Sequence, residues 1–448
     1  MLVRIFLVAN ELVYWYDTAH EDRCKDKPPG LGMKRICIIN IAGLSRRLTA
    51  GRDDLWVSSL SAPSGGAMAP TLPAVASSVQ ASMTTGCRPG KHGIIAGGVF
   101  RRQSGSLSLA DRSNTLLNTK RFWHARALPE APKVALVFWS NPLAGGGDIV
   151  LGTAAYACQC GKVSHQPMGL YDRLAETCGQ FDCGLISGPT ASWRGAEWIA
   201  NASTEIWRSD EPDLMWVNLP GIDFELIRGG VIDNCASLEQ ALVDVDNRAR
   251  GLADSVRDGG GQVVVVSDGG YVDVSQAIRP NVALRDAGLL IVGESPDGPV
   301  VDIEASRAVA LADHQVAHLY CRGERAADEA AEVLSGLEGI DSITPRSELF
   351  CPGLGHDRAG ERVATARPKA WFSPRAGSAG KLGFDPCELI SNGGANCSAD
   401  ESLVRASRGR ADVSLDDSCF LAATDPLETP REMCVTDLPD VLKKVMFE

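Results

Sequence analysis

Four short apolar runs punctuate the chain, at residues 36–44, 134–139, 214–219 and 262–267. Each is continuous rather than alternating, the pattern of a strand covered on both faces in a parallel sheet. Between them the period lengthens: from Ser237 to Asp258, Leu238, Leu242, Val245, Ala249, Leu252 and Val256 recur at helical spacing and form one apolar stripe. Strands alternating with such helices predict an α/β fold, a doubly wound, mainly parallel sheet with helices on both faces and ligands at the carboxyl ends of the strands. Beyond about residue 345 the pattern weakens, and Gly, Pro, Ser and Arg accumulate from Pro352 to Ala411. The expected organisation is an N-terminal extension over 1–32, an α/β core over 33–350, and a loop-rich C-terminal segment over 351–448 that completes or covers the core.

Composition changes this picture only by exclusion. The 448 residues carry a formal charge of −12, which argues against a nucleic-acid binder or a partner of anionic membranes, since both present concentrated Lys and Arg. The 14 cysteines include no CxxC pair, and a chain of this length has no need of disulfides to hold its core, so they are expected to be reduced thiols. No apolar run approaches the roughly 20 residues of a spanning helix. At the N-terminus, Arg4, Asn10 and Glu11 interrupt the opening apolar stretch and no clear cleavage site follows. A soluble, cytoplasmic protein is the expectation.

Candidate chemistry concentrates between Leu72 and Arg102, LPAVASSVQASMTTGCRPGKHGIIAGGVFRR, where a proline-marked turn leads into a small-residue helix, a Gly/Pro break and an HG return. This stretch resembles the nucleophile segment of the alkaline phosphatase superfamily, in its type I phosphodiesterase/nucleotide pyrophosphatase branch. The resemblance extends over about residues 34 to 425 and is closest to a bacterial subgroup with a degraded metal site. It implies the fold already read from periodicity. It also implies a site of two metal ions, usually zinc, held by aspartates and histidines, that hydrolyses phosphate esters through a covalent phospho-threonine or phospho-serine.

Position by position, that apparatus is replaced. The family's Pro-x-x-Thr turn ends here in Ala76, with Ser77 and Ser78 next; Ser77 is the candidate substitute nucleophile, and helix capping is the alternative role for both serines. The first family aspartate, in an Asp-Gly step, becomes Ala42-Gly43, with Asn40 two residues before it on the same face. The HG-x-x-x-N asparagine becomes Gly97, and His92 is expected to support the turn. Asp223 is retained, but the histidine four residues on is Ile227; Asp268 is retained, but the Ser-Asp-His-Gly step reads Ser267-Asp268-Gly269-Gly270. The last histidine, in a Ser-His-Gly turn, becomes Arg408. By resemblance Asp223 and Asp268 would bind a metal if one is retained, and should end adjacent strands.

One histidine-rich motif remains, Asp313-His314-Gln315-Val316-Ala317-His318-Leu319-Tyr320, which resembles a segment of the bacterial subgroup. Its apolar flanks favour a strand, in which His314 and His318 share a face about 13 Å apart. That is too far to chelate one ion, so the two are candidate substrate contacts, with packing as the alternative. The chemistry lost predicts a non-catalytic binding or assembly protein that keeps a phosphoester cleft for a small phosphate-ester ligand and needs no cofactor. The alternative is a metal-dependent phosphodiester hydrolase with an altered centre, for which zinc or another divalent ion remains possible by resemblance.

Overall fold

A computed structural model describes residues 3–8, 11–16, 33–109, 111–125, 128–153, 163–232, 235–296, 298–349, 353–390 and 400–448. The chain divides into two compact units, Met1–Met33 and Lys34–Glu448. In the first, strands Val3–Val8 and Glu11–Tyr16 pair antiparallel.

The second unit is built on an eight-stranded sheet. Its strands in chain order are β1 (Ile36–Ile41), β2 (Ala67–Met68), β3 (Val134–Val137), β4 (Ile149–Thr153), β5 (Val163–Gln166), β6 (Leu214–Leu219) and β7 (Gln262–Val266). The eighth comes from the C-terminal segment and is numbered below. Strands β7, β1, β6, β3 and β4 run parallel side by side. All six residues of β1, Ile-Cys-Ile-Ile-Asn-Ile, are buried, as a β-branched run packed on both faces requires. The crossovers are helical: α1 (Ala76–Thr85), α2 (Arg194–Ser209), α3 (Ile222–Gly229) and α4 (Ala236–Asp258). The stripe read in the sequence is the buried face of α4, from Leu238 to Val256.

Three boundaries differ from expectation for local reasons. Strand β3 stops at Val137, because Phe138 takes a positive φ of 54° that ends extended pairing. The motif at 313–320 is not one strand. Strands β8 (Ala308–Asp313) and β9 (Val316–Cys321) pair antiparallel, with Asp313 opposite Val316, so His314 and Gln315 form the two-residue turn of a hairpin. The loop-rich C-terminal part nonetheless supplies strands to both sheets. With β10 (Ile340–Pro345) and β11 (Arg362–Ala366) the hairpin makes a four-stranded sheet in the order β8-β9-β11-β10. Strand β12 (Cys419–Ala423) pairs antiparallel with β7 and carries β2 at the edge of the main sheet.

Among the described residues no helix is long and apolar enough to cross a membrane, and the nine described cysteines are free.

Candidate functional site

The carboxyl ends of β1, β6 and β7 meet α1 in a cluster of buried amides and carboxylates. Register explains the first contact. Asn40 on β1 pairs with Asn218 on β6, so the two side chains share a face, and Asn40 Nδ2 donates to Asn218 Oδ1 at 2.6 Å. Two residues past the end of β7, Asp268 comes to the same place. Its Oδ2 accepts from Gln80 Nε2 of α1 at 2.7 Å and from Asn40 Nδ2 at 3.3 Å. Its Oδ1 accepts from Arg408 Nη1 at 2.8 Å, an ion pair whose side chains are 1% and 8% exposed. Gln80 is fixed from behind by Ser140, whose N–H donates to Gln80 Oε1 at 2.9 Å.

A cavity of about 220 Å³ opens over this cluster. Ala42, Ala76, Asp223, Asp268, His314 and Arg408 all line it, so the positions that the sequence singled out at the ends of separate elements converge. One relation differs from expectation: Asp223 and Asp268 follow β6 and β7, which flank β1 on either side and are not neighbours of each other.

Helix α1 points its start at the cavity. Its N-cap is Val75, which has no side-chain hydrogen bond to offer, so Ser77 and Ser78 lie inside the helix and cap nothing. Ala76 begins the helix without an oxygen. Ser77 lines the cavity but its Oγ donates to the carbonyl of Ala96 at 3.2 Å, and Ser78 Oγ is buried with no hydrogen-bond partner among the described residues. His92 is structural: Nε2 meets Ser82 Oγ at 3.0 Å, Nδ1 accepts from the Ile94 N–H at 3.1 Å, and burial lowers its pKa to about 3.

Asp223 stands in the first turn of α3, where its Oδ1 accepts the Gly221 N–H at 2.8 Å. Gly43 is required opposite it, with φ 84° and room for no side chain: a Cβ would lie 2.9 Å from the Asp223 nitrogen. Burial raises the Asp223 carboxyl to about 6 against the pull of the Gly221 N–H and Arg408, and Asp268 adds to the rise. Arg408 itself is held well above the ordinary arginine value. Desolvation opposes its charge, and Tyr271, Asp268 and Asp223 outweigh that effect.

The hairpin separates the two histidines. His314, at the turn with φ 59°, faces the cavity and sets Nδ1 3.2 Å from Ser407 Oγ, beside Arg408. Burial and Arg408 keep its ring far below the usual histidine pKa, so it is neutral. His318, on β9, is engaged by backbone, with Nε2 3.1 Å from the Ile95 carbonyl and Nδ1 accepting from the Gly360 N–H at 3.3 Å. It does not line the cavity. Asp313, before the turn, accepts the Gly97 N–H at 2.6 Å.

Sequence reasoning missed Gln80 and Asn218. The second carried a signal, since Asn40 and Asn218 each stand fifth in a six-residue, otherwise apolar strand. Gln80, inside a helix, carried none. Among the described residues no group of three or more His, Cys, Asp or Glu side chains stands where it could hold a metal ion. Gly269, at the family's histidine position, adopts φ 128°.

The family described as Type I phosphodiesterase / nucleotide pyrophosphatase matches residues 58–387 of the chain. No curated protein matches the sequence. Among solved structures, phosphonoacetate hydrolase from Sinorhizobium meliloti 1021 in complex with phosphonoformate is similar over 100% of both chains, with a TM-score of 0.62 at 14% identity. Murine ectonucleotide pyrophosphatase / phosphodiesterase 5 is similar over 92% of this chain and 95% of its own, with a TM-score of 0.59 at 13% identity. The human counterpart gives 0.57 at 13% over the same shares. At such identities the likeness is one of fold.

Proposed function

Since the chain belongs to the type I phosphodiesterase / nucleotide pyrophosphatase family, we propose that it is a non-catalytic member which keeps the phosphoester cleft as a recognition pocket for a small phosphate-ester ligand. The observation that carries this reading is the buried ion pair of Arg408 with Asp268 at 2.8 Å. A zinc pair needs carboxylate oxygens and neutral imidazoles free to bind at about 2.0–2.2 Å. Here both oxygens of Asp268 already accept hydrogen bonds, from Arg408 on one side and from Gln80 and Asn40 on the other. The remaining ligand positions hold Ala42, Ile227, Gly269 and the guanidinium of Arg408. This donor set does not fit the family's metals.

The nucleophile position gives the same answer. Ala76 has no group to attack phosphorus, and the Ser77 hydroxyl is committed to the Ala96 carbonyl. What the cleft retains is recognition: the first N–H groups of α1 and the Arg408 guanidinium face one cavity, a setting that suits an oxyanion.

The test is hydrolysis of bis(p-nitrophenyl) phosphate by wild type and by Ala76→Thr, with and without added zinc, alongside the metal content of the purified protein. The expected result is no turnover above buffer for either. Loss of a covalent nucleophile alone costs on the order of 10⁴ to 10⁶ in rate, and restoring a hydroxyl does not restore the Lewis acid that activates it. Wild-type turnover abolished by both Asp223→Ala and Asp268→Ala would overturn this reading in favour of an altered-centre hydrolase.

A further inference from the structure

Carboxylates outnumber the cations around the cavity, which Arg112, Lys381 and Arg408 also line. Five carboxylates line it: Asp223, Asp268, Asp313, Asp385 and Glu388. Three have a cation of their own, since Asp268 pairs with Arg408 at 2.8 Å, Asp385 with Arg375 at 2.7 Å, and Glu388 with Lys381. Asp223 and Asp313 form no ion pair among the described residues; they accept backbone N–H groups instead, Asp223 from Gly221 and Phe224 and Asp313 from Gly97. The cationic field on Asp223 comes from Arg408, which is already engaged by Asp268. In the family site two divalent ions outweigh three aspartates and the centre attracts anions. Here one guanidinium faces both Asp223 and Asp268, and the sign of that end is reversed.

The opposite need is present in the same space. Ala76 and Ser77, which open α1, line the cavity together with Arg408, and the first N–H groups of a helix and a guanidinium can only donate, so an occupant that satisfies them brings acceptor oxygens. An occupant that satisfies Asp223 brings a positive charge or N–H donors. A plain phosphate ester meets the first need and opposes the second. The aromatic rings of Phe138 and Phe384, which also line the cavity, tolerate a cation, because their faces are negative, while the face of Tyr271 is already taken by Arg408 at 5.0 Å.

We propose that the ligand of this cavity is zwitterionic: a protonated amine pairs with the Asp223 carboxylate while an oxyanion meets Arg408 and the start of α1. This rests on the reading of the cleft as a phosphoester pocket, and it goes further by assigning Asp223 the role of amine anchor. A metal ion is the competing occupant, but zinc sites use at least three protein ligands, and no such group stands among the described residues.

Calorimetric titration of the full-length protein with two probes of nearly equal size tests this: O-phosphoethanolamine and ethyl phosphate, which share the phosphate ester and differ in the ammonium group. The amine-bearing probe is expected to bind at least tenfold more tightly, and Asp223→Asn is expected to bring that ratio close to one, by weakening the amine-bearing probe and by relieving the repulsion that ethyl phosphate meets in wild type. Asp223→Glu, which keeps the charge, should retain part of the preference, and the circular dichroism of both variants checks that they fold. Equal binding of the two probes by wild type, or a preference that survives in folded Asp223→Asn, overturns the amine anchor and leaves the phosphoester reading standing. Failure of both probes to bind overturns the phosphoester reading and the anchor with it. Stoichiometric zinc binding that Asp223→Asn abolishes would assign the carboxylate to a metal instead.

Discussion

Asp313 is a carboxylate taken out of water with no counter-ion in contact. Burial raises it from 3.8 to about 6, against the Gly97 N–H and the charges of Arg408 and Arg112. Between about pH 4 and 6 the folded protein therefore keeps a proton that the unfolded chain has released. Stability falls as pH rises through that window, and the penalty is fully present above it. Asp313→Asn keeps an oxygen for Gly97 and removes the charge. It is expected to unfold at higher urea than wild type at pH 7.5, by at most about 3 kcal/mol, with the difference gone near pH 4. At this scale the sequence was informative wherever a motif fixed a position: Ala76, Asp223, Ile227, Asp268 and Arg408 could each be placed before any coordinates. The amides could not. Asn40, Gln80 and Asn218 become one network only through strand register and a helix crossing, and neither is written in local spacing.

Among the elements, the loop after β3 is the least regular part of the cavity wall. Phe138, Asn141 and Ala144 take φ of 54°, 50° and 61°, values that side chains other than glycine adopt at a cost. Arg121 holds it there. Its guanidinium is 1% exposed and meets no carboxylate among the described residues. It donates instead to the carbonyls of Ser140 and Asn141 at 2.9 and 2.7 Å, to Thr84 Oγ1 at 2.7 Å, and to Asn114 Oδ1 at 3.0 Å. Burial lowers its pKa to about 9. Arg121→Met leaves those acceptors unmet and is expected to destabilise by about 2–4 kcal/mol in urea, with faster amide exchange concentrated at residues 138–144. The sequence read this strand two residues too long, because Phe138 and Trp139 continue the apolar run and only backbone geometry ends it. The hairpin at His314 was hidden in the same way. Its turn has no glycine or asparagine, so the apolar flanks looked like one strand.

For the molecule as a whole, the parallel core was legible because burial on both faces leaves continuous apolar runs. The contribution of the C-terminal segment was not. Strands β11 and β12 are short and lie between stretches rich in Gly, Pro and Arg, so they gain strand character only by docking on β9 and β7. Through this return the last hundred residues bring Arg408 to Asp268, 140 positions away in the chain. The site is therefore closed by a segment far along the chain from the strands that carry the rest of it.

Gly269 shows how strongly the backbone here resists a side chain. It has open space around it, with only the Ala74 carbonyl oxygen within 4 Å, at 3.9 Å. A histidine side chain could fit there as far as room is concerned. The backbone is the obstacle: φ 128° lies where side-chain-bearing residues rarely go, at a cost of about 1–3 kcal/mol. Gly269→His is expected to lower stability by about that amount, measured in urea, and to gain no zinc. A single-codon change from glycine to histidine therefore brings a penalty before it brings any benefit, and a route to an imidazole at this position is uphill at its first step.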